Sequence, residues 1–481
     1  MGELRNSLLI IILLLSMVIG SSQLTRGHEW GDDFASYIMQ AKSILNGDMP
    51  NFIEHNSFTI YQSSSQIGPV AYPWGYPLIL TPFYAIKGIS PLTLKLPGLF
   101  FFAGFLICFY LLMRTRLTRT ESLLLVSLFA FNPMLLDFLD QILSDIPFLF
   151  FSTLALLLIV NEKKQSALDY ALLGGVIFLV YFIRTTGIIL LVTLLIFQAI
   201  RFYWANTERK TIFINLIVAI LSFGILVFIA SFIFPSGQDS YFRQLRGFSY
   251  ATFTRNISGY FALIPQFFGN SPAWLYIYYV LIPFFLVGAW TKRNGDQPLI
   301  IFFAAYVLIM IIWPEWQGPR FIFPLLPIFI YFVFQGMKFA TNKLPETYHQ
   351  LGQGLFYGFW FLIAGIFLFN SSMNAYVNLQ NNRAINGPFD PYSQQVYDYI
   401  KEKTSPDSIV IFFKPRAMRL MTDHDTIMNT ECDRMSLGDY IVLSRKVGEN
   451  QQIAPEEIAS CNLPLDEVLR NRRFVIYKIL K

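Results

Sequence analysis

The sequence predicts an α-helical polytopic membrane protein with a small mixed α/β domain at its C-terminal end. Three observations predict it. Of the 481 residues, 54% are hydrophobic and only 14% are charged, whereas a soluble domain carries about 25% charge; the mean hydropathy is +0.48. Long apolar runs recur through most of the chain, and residues 211–238 hold no charge at all, which suffices for a spanning helix of about 20 residues. From about Asn374 onward charge rises and apolar residues come in short blocks. The net charge of +5 does not point to nucleic acid, because the basic residues sit mostly in short loops between apolar runs.

Spans are expected to begin near Ser7, Leu94, Leu123, Leu143, Leu168, Gly187, Thr211, Ala273, Pro298, Phe321 and Leu351, which makes about eleven. The first, Leu8 to Gly20, reads either as a signal peptide with Gly20-Ser21-Ser22 as its cleavage site or as an uncleaved span. The uncleaved span is preferred, since it tethers Asp32 and Asp33 to the bilayer. Trp74 to Ile86 is apolar but short and carries Pro77 and Pro82. Counting it as a span would invert every later basic loop, so an interfacial or re-entrant segment is expected there. Leu168 to Trp204 is interrupted by Arg184-Thr185-Thr186-Gly187 and is expected to form two short spans. Arg184 would then lie at or just below a membrane surface, where a charge either serves a site or binds lipid headgroups.

The loops alternate in charge. One set holds Arg114, Arg116 and Arg119; Lys163 and Lys164; Arg201, Arg209 and Lys210; Lys292 and Arg293; Lys338 and Lys343. The other holds Asp32 and Asp33, residues 137–145, the long 234–272 loop, Glu315 and the tail. Clustering of Lys and Arg puts the first set in the cytoplasm. The expected organisation is a transmembrane domain over residues 1–373 in a bacterial-type inner membrane, with a cytoplasmic N-terminus. The first outer loop, residues 25–93, carries interfacial helices, and residues 374–481 form the extracytoplasmic α/β domain. In that domain Tyr392 to Lys403 has helical spacing, and Ser408 to Phe413, Tyr440 to Ser444 and Phe474 to Leu480 read as strands. Cys432 and Cys461 both fall there and would be free to pair in an oxidising compartment. Cys108 is expected to be a packing residue within a span.

Asp32, Asp33, Asp137, Asp140, Asp145 and Glu315 all belong to the outer set and can converge at one membrane face near Arg184 and Arg320. Such a set suits transfer from a lipid-phosphate donor. A carboxylate takes the proton of an incoming hydroxyl, and an arginine pairs bidentately with the departing phosphate. Because phosphate leaves readily, no covalent intermediate is required. His28, Glu29, Asp32 and Asp33 fit no metal signature, so no cofactor is required and a divalent metal is not favoured. His55, His349 and His424 lack a supporting constellation.

An ordered set of short motifs then resembles a known family. It comprises Asp33, Tyr37, Ala41 and Gly47-Asp48; Tyr72-Pro73-Trp74-Gly75-Tyr76-Pro77; Ser144-Asp145-Ile146-Pro147-Phe148; Arg184-Thr185-Thr186-Gly187; and the run Gln317 to Pro327. Together they resemble the GT-C superfamily of polyprenyl-phosphate-sugar-dependent glycosyltransferases, which includes protein O-mannosyltransferases and aminoarabinose lipid A transferases. The chain departs from that pattern at Phe34, where an acidic residue often follows the catalytic Asp, and at Trp74, which stands in place of a proline. The resemblance implies a GT-C fold and an inverting transfer with Asp33 as general base. Asp32 is the alternative base or a donor-sugar contact. It also implies substrate-binding roles for Tyr37 and Asp145, and for Arg184 and Arg320 at the lipid phosphate. Arg243, Arg246 and Arg255 are further phosphate candidates, unless they form a basic helix on anionic lipid. The implied partners are a polyprenyl-phosphate-linked sugar, a lipid, glycan or protein acceptor, and the bilayer. The competing reading is a transporter or flippase of lipid-linked substrates, though no repeated halves of the kind common in transporters are visible.

Overall fold

In the computed structural model the described residues are 2–65, 67–161, 166–205, 207–237, 247–314, 316–445, 451–454 and 457–480. Arg243, Arg246, Glu315, Lys163 and Lys164 lie outside them.

A helix stands at each of the eleven expected positions: Gly2–Gln23, Pro91–Met113, Arg119–Ala130, Asp145–Val160, Ala167–Ile183, Ile188–Trp204, Arg209–Ile233, Ala273–Lys292, Gln297–Ile312, Leu326–Asn342 and Glu346–Asn381. Among the described residues, five helices are long and apolar enough to cross a membrane, and four shorter apolar ones accompany them. Arg119–Ala130 and Leu326–Asn342 are enclosed by protein: every residue from Leu326 to Gly336 is buried, as are Glu121 to Val126. By contrast, Arg209–Ile233 leaves Phe213, Leu221, Ile225, Phe228 and Phe232 exposed, an apolar surface suited to lipid. Charged loops also meet in pairs as the alternation implies. Arg116 binds Asp296 at 2.6 Å, and Lys338 binds Glu121 at 2.6 Å, so the loops of the basic set share one end of the bundle.

The first loop forms two helices, Asp33–Asn46 and Met49–Gln62, before a third, Gly75–Lys87. The third has 13 residues with Pro82 inside, about 20 Å at helical rise, which is too short to cross a bilayer. It packs against Asp33–Asn46.

The C-terminal domain has the expected helix at Pro391–Lys403 and the expected strands at β1 Val410–Phe412, β3 Tyr440–Ser444 and β5 Phe474–Ile479. Two further strands, β2 Thr426–Ile427 and β4 Leu465–Arg470, complete a sheet of order β2-β1-β3-β5-β4. β1 runs parallel to β2 and β3, and the remaining pairs are antiparallel. β4 reads Leu-Asp-Glu-Val-Leu-Arg and is half exposed, so it lacks the apolar signal of the others. Cys432 and Cys461 form a disulfide. Trp30 of the first loop packs edge-on against Phe412, Phe413 and Phe474, and Lys42 and His55 bind Asp423 and Asp425 at 2.8 and 2.9 Å. The first loop and the C-terminal domain therefore share a core.

Candidate active site

Helix Asp33–Asn46 builds the centre of the site. Asp33, Tyr37 and Gln40 are four and three residues apart and lie on one face. All three are directed at the chain that follows the second loop helix. Gln40 holds the backbone of Tyr72 in both directions, donating to its carbonyl at 2.9 Å and accepting from its N–H at 3.2 Å. The Tyr72 ring packs 4.9 Å from that of Tyr37, and its hydroxyl donates to Asp33 Oδ1 at 2.5 Å. Arg320 donates to Asp33 Oδ2 at 2.7 Å and to Gln317 Oε1 at 2.8 Å.

Arg184 reaches the same space from the break between two helices, where its backbone is extended. Its guanidinium binds Asp145 and lies over the rings of Phe148 and Phe321 at 5.5 and 5.2 Å. Asp145 sits in the first turn of its helix, where a carboxylate is favoured by the helix dipole. The preceding residue, Ser144, lies 3.1 Å from the Tyr37 hydroxyl. Gly75 explains how the break comes this close. A Cβ there would stand 2.5 Å from the carbonyl oxygen of Phe182, so only glycine lets the Tyr72–Pro77 run lie on the chain just before Arg184.

Asp32, Asp33, Tyr37, Tyr72, Arg184, Gln317, Arg320 and Lys414 line a cavity of about 660 Å³; Asp145, expected to bind substrate, is not among the lining residues and stands behind Arg184. The two adjacent aspartates differ electrostatically. Burial works to raise Asp33, but Arg320, the Tyr72 hydroxyl and Arg416 outweigh it and hold the carboxyl below its usual range. Burial also raises Asp32, and there Lys414 and Arg416 do not offset it. Tyr37 is pushed up to about 12, chiefly by burial and then by Asp33, so it serves as a neutral hydrogen-bonding group.

The remaining candidate residues divide between the cavity and structural roles. Asp140 does not join the cavity: it binds the buried Lys95 at 2.6 Å and the backbone N–H of Thr25 at 2.7 Å, clamping the start of the first loop. Asp137 lines the cavity and contacts Arg383 at 3.5 Å on the exposed surface. Arg255, in helix Tyr250–Leu263, donates to the Pro314 carbonyl and is not among the cavity-lining residues. His28 lines the cavity with its ring held in place by packing. It stacks on Phe34 at 4.1 Å and accepts the Ile142 N–H at 3.0 Å, and burial lowers it to about 3. Among the described residues, no group of three or more His, Cys, Asp and Glu side chains is placed to hold a metal ion.

Sequence reasoning missed Tyr72 as a hydrogen-bond partner of Asp33, although Tyr72 opens the Tyr72–Pro77 run. It also missed Lys414 and Arg416, and no local signal marks them. They begin a helix at Pro415–Thr422 almost four hundred residues from Asp32. Asp32 Oδ1 accepts the backbone N–H of Arg416 at 3.2 Å, and Lys414 Nζ lies 3.7 Å from Asp32 Oδ2.

Comparison with solved structures places the helical bundle, its helical first loop and the small α/β domain in a known fold. The chain superposes on ArnT from Cupriavidus metallidurans with a TM-score of 0.60 at 12% identity, covering 97% of both chains. ArnT bound to undecaprenyl phosphate gives 0.59 at 13% identity, again over 97% of both. The oligosaccharyltransferase AglB from Archaeoglobus fulgidus, solved with an inhibitory peptide and a dolichol-phosphate, gives 0.63 at 14% identity over 92% of this chain and 70% of that one. The chain thus has the GT-C fold. No family model matches the sequence, and no curated protein matches it.

Proposed function

We propose that the chain is an integral membrane glycosyltransferase that moves a sugar from a polyprenyl-phosphate donor to an acceptor hydroxyl. The carrying observation is Asp33, a carboxylate held in its charged form inside a cavity that also presents Arg320 and Arg184. In this reading Asp33 takes the proton from the acceptor hydroxyl as the acceptor oxygen bonds to the anomeric carbon. The bond from that carbon to the phosphate oxygen breaks, and the lipid phosphate leaves toward Arg320 and Arg184. Attack opposite the leaving group inverts the anomeric centre. Arg320 now binds Asp33; a phosphate that engages the arginine would free Asp33 Oδ2 for the incoming hydroxyl. Binding of undecaprenyl phosphate by ArnT and of dolichol-phosphate by AglB supports the donor class.

The charge alternation and the Cys432–Cys461 disulfide support an extracytoplasmic face for the site, since disulfides persist where the compartment is oxidising. A bacterial-type inner membrane fits this topology. No metal is assigned a role. The test is transfer by the purified full-length chain in lipid nanodiscs, supplied with polyprenyl-phosphate sugars and an envelope-lipid extract as acceptor source. Loss of a general base costs about 10²–10⁴-fold in rate, so Asp33→Asn should fall by that amount. A variant as active as the wild type would overturn the assignment.

A further inference from the structure

The C-terminal domain buries one arginine completely, and it does so against the catalytic loop. Arg416 has no exposed surface, and a buried guanidinium is costly unless its surroundings use it. Its guanidinium donates to the Pro69 carbonyl. It lies 5.4 Å from the centre of the Tyr72 ring and approaches the Tyr72 hydroxyl to 3.5 Å. Guanidinium has only donors, so at the Tyr72 hydroxyl it can meet only the oxygen lone pairs. The phenolic proton is then left to point at Asp33, where the 2.5 Å hydrogen bond is found. The backbone N–H of the same residue holds Asp32. Room for the contact depends on Gly68, with φ of +120°; a Cβ there would stand 3.0 Å from the Tyr72 hydroxyl and 3.5 Å from Arg416 Nη1.

We propose that Arg416 is a positioning residue through which the C-terminal domain orients Tyr72 and Asp32 around Asp33, so that the site is complete only when that domain is docked. Arg416 does not line the cavity and acts through Tyr72. The charged and titratable groups facing the aspartate pair are Arg320 and Tyr72 at Asp33, Lys414 at Asp32, Arg416 near both, and Tyr37 beside them.

The kinetic part of the test rests on the glycosyltransferase reading; a spectroscopic part does not. In a double-mutant cycle, Arg416→Gln and Tyr72→Phe should each lower kcat, by roughly 10- to 100-fold for a misplaced catalytic group, with little change in donor KM. The double variant should be no slower than the slower single, and Arg416→Lys should recover part of the loss. Multiplying effects would show that Arg416 acts independently of Tyr72 and would overturn the proposal. Infrared titration of the wild-type chain, with the protonated-carboxyl band assigned by Asp33→Asn, supplies the second readout. Arg416→Lys and Gly68→Ala should both move that band to higher pH, and an unmoved band in both would also overturn the proposal. If the wild type transfers no sugar, the enzymatic reading fails while the band shift still decides the role of Arg416.

Discussion

At the residue scale, the informative contrast is between two neighbouring aspartates with opposite electrostatics. A base must be ionised to work. With Asp33 as base, the acid limb of kcat/KM should lie below the ordinary aspartate value of about 3.9, because Arg320, Tyr72 and Arg416 outweigh the burial that would raise it. With Asp32 as base, the limb would lie above that value, because burial raises Asp32. A pH–rate profile of the wild type, repeated with Asp32→Asn, separates the two, and the limb should stay low in both. The stability signs follow the same directions. The pairing of Asp33 contributes above the unfolded carboxylate value and is lost as pH falls through its depressed folded value. Asp32, being raised, costs stability as pH rises through its folded value. The Arg184–Asp145 pair makes a further prediction. Asp145 is buried and Arg184 largely so, and removing one partner of a buried pair costs about 3–5 kcal/mol. Asp145→Ala should therefore lower the thermal midpoint sharply as well as impair transfer. A drop of a degree or less would place the pair in a better-solvated setting.

At the element scale, the site depends on helix ends and on one close approach. Asp32 accepts the N–H of Arg416 in the first turn of Pro415–Thr422, so it caps a helix from another part of the chain. Loss of a cap costs about 0.5–2 kcal/mol. Asp32→Ala should destabilise by that amount. Asp32→Asn, which keeps an acceptor and removes a buried charge, should be at least as stable as the wild type at neutral pH. Chemical unfolding of each variant would measure both. Gly75 is the other dependence. Gly75→Ala places a Cβ 2.5 Å from the Phe182 carbonyl oxygen, so the Arg184 break must move away. Transfer activity should fall while the sheet domain keeps its disulfide, and unchanged activity would mean that the break tolerates the shift. Much at this scale was legible beforehand. The Tyr72–Pro77 run, the Arg184 break and the Gln317–Pro327 run could be quoted as motifs because each is local. Their mutual contacts were not legible, because side-chain spacing along one segment says nothing about which other segment it touches.

At the scale of the whole molecule, the first loop and the C-terminal domain act as one body on top of the bundle. Trp30, Lys42, His55 and Ser64 all contact residues beyond position 411. The disulfide closes a loop with a sequence separation of 29, worth about 3–4 kcal/mol in the chain-entropy account. Reduction should therefore loosen the wall formed by Met428, which lines the cavity and stands four residues before Cys432 in the chain. The expected result is lower transfer with little loss of helical circular dichroism; equal activity in the reduced protein would show that the wall holds without the bridge. The eleven helices, the three apolar strands and the cavity side chains Asp33, Arg184 and Arg320 could be read from the sequence by itself. Apolar length and period, loop charge and short local motifs are written residue by residue along the chain. Only the tertiary structure decided that Asp140 is a clamp, that Asp32 caps a distant helix, and that Arg416 stands behind Tyr72. Each of those facts rests on a contact between segments far apart in sequence, where burial and charge pairing select a partner that no local pattern encodes.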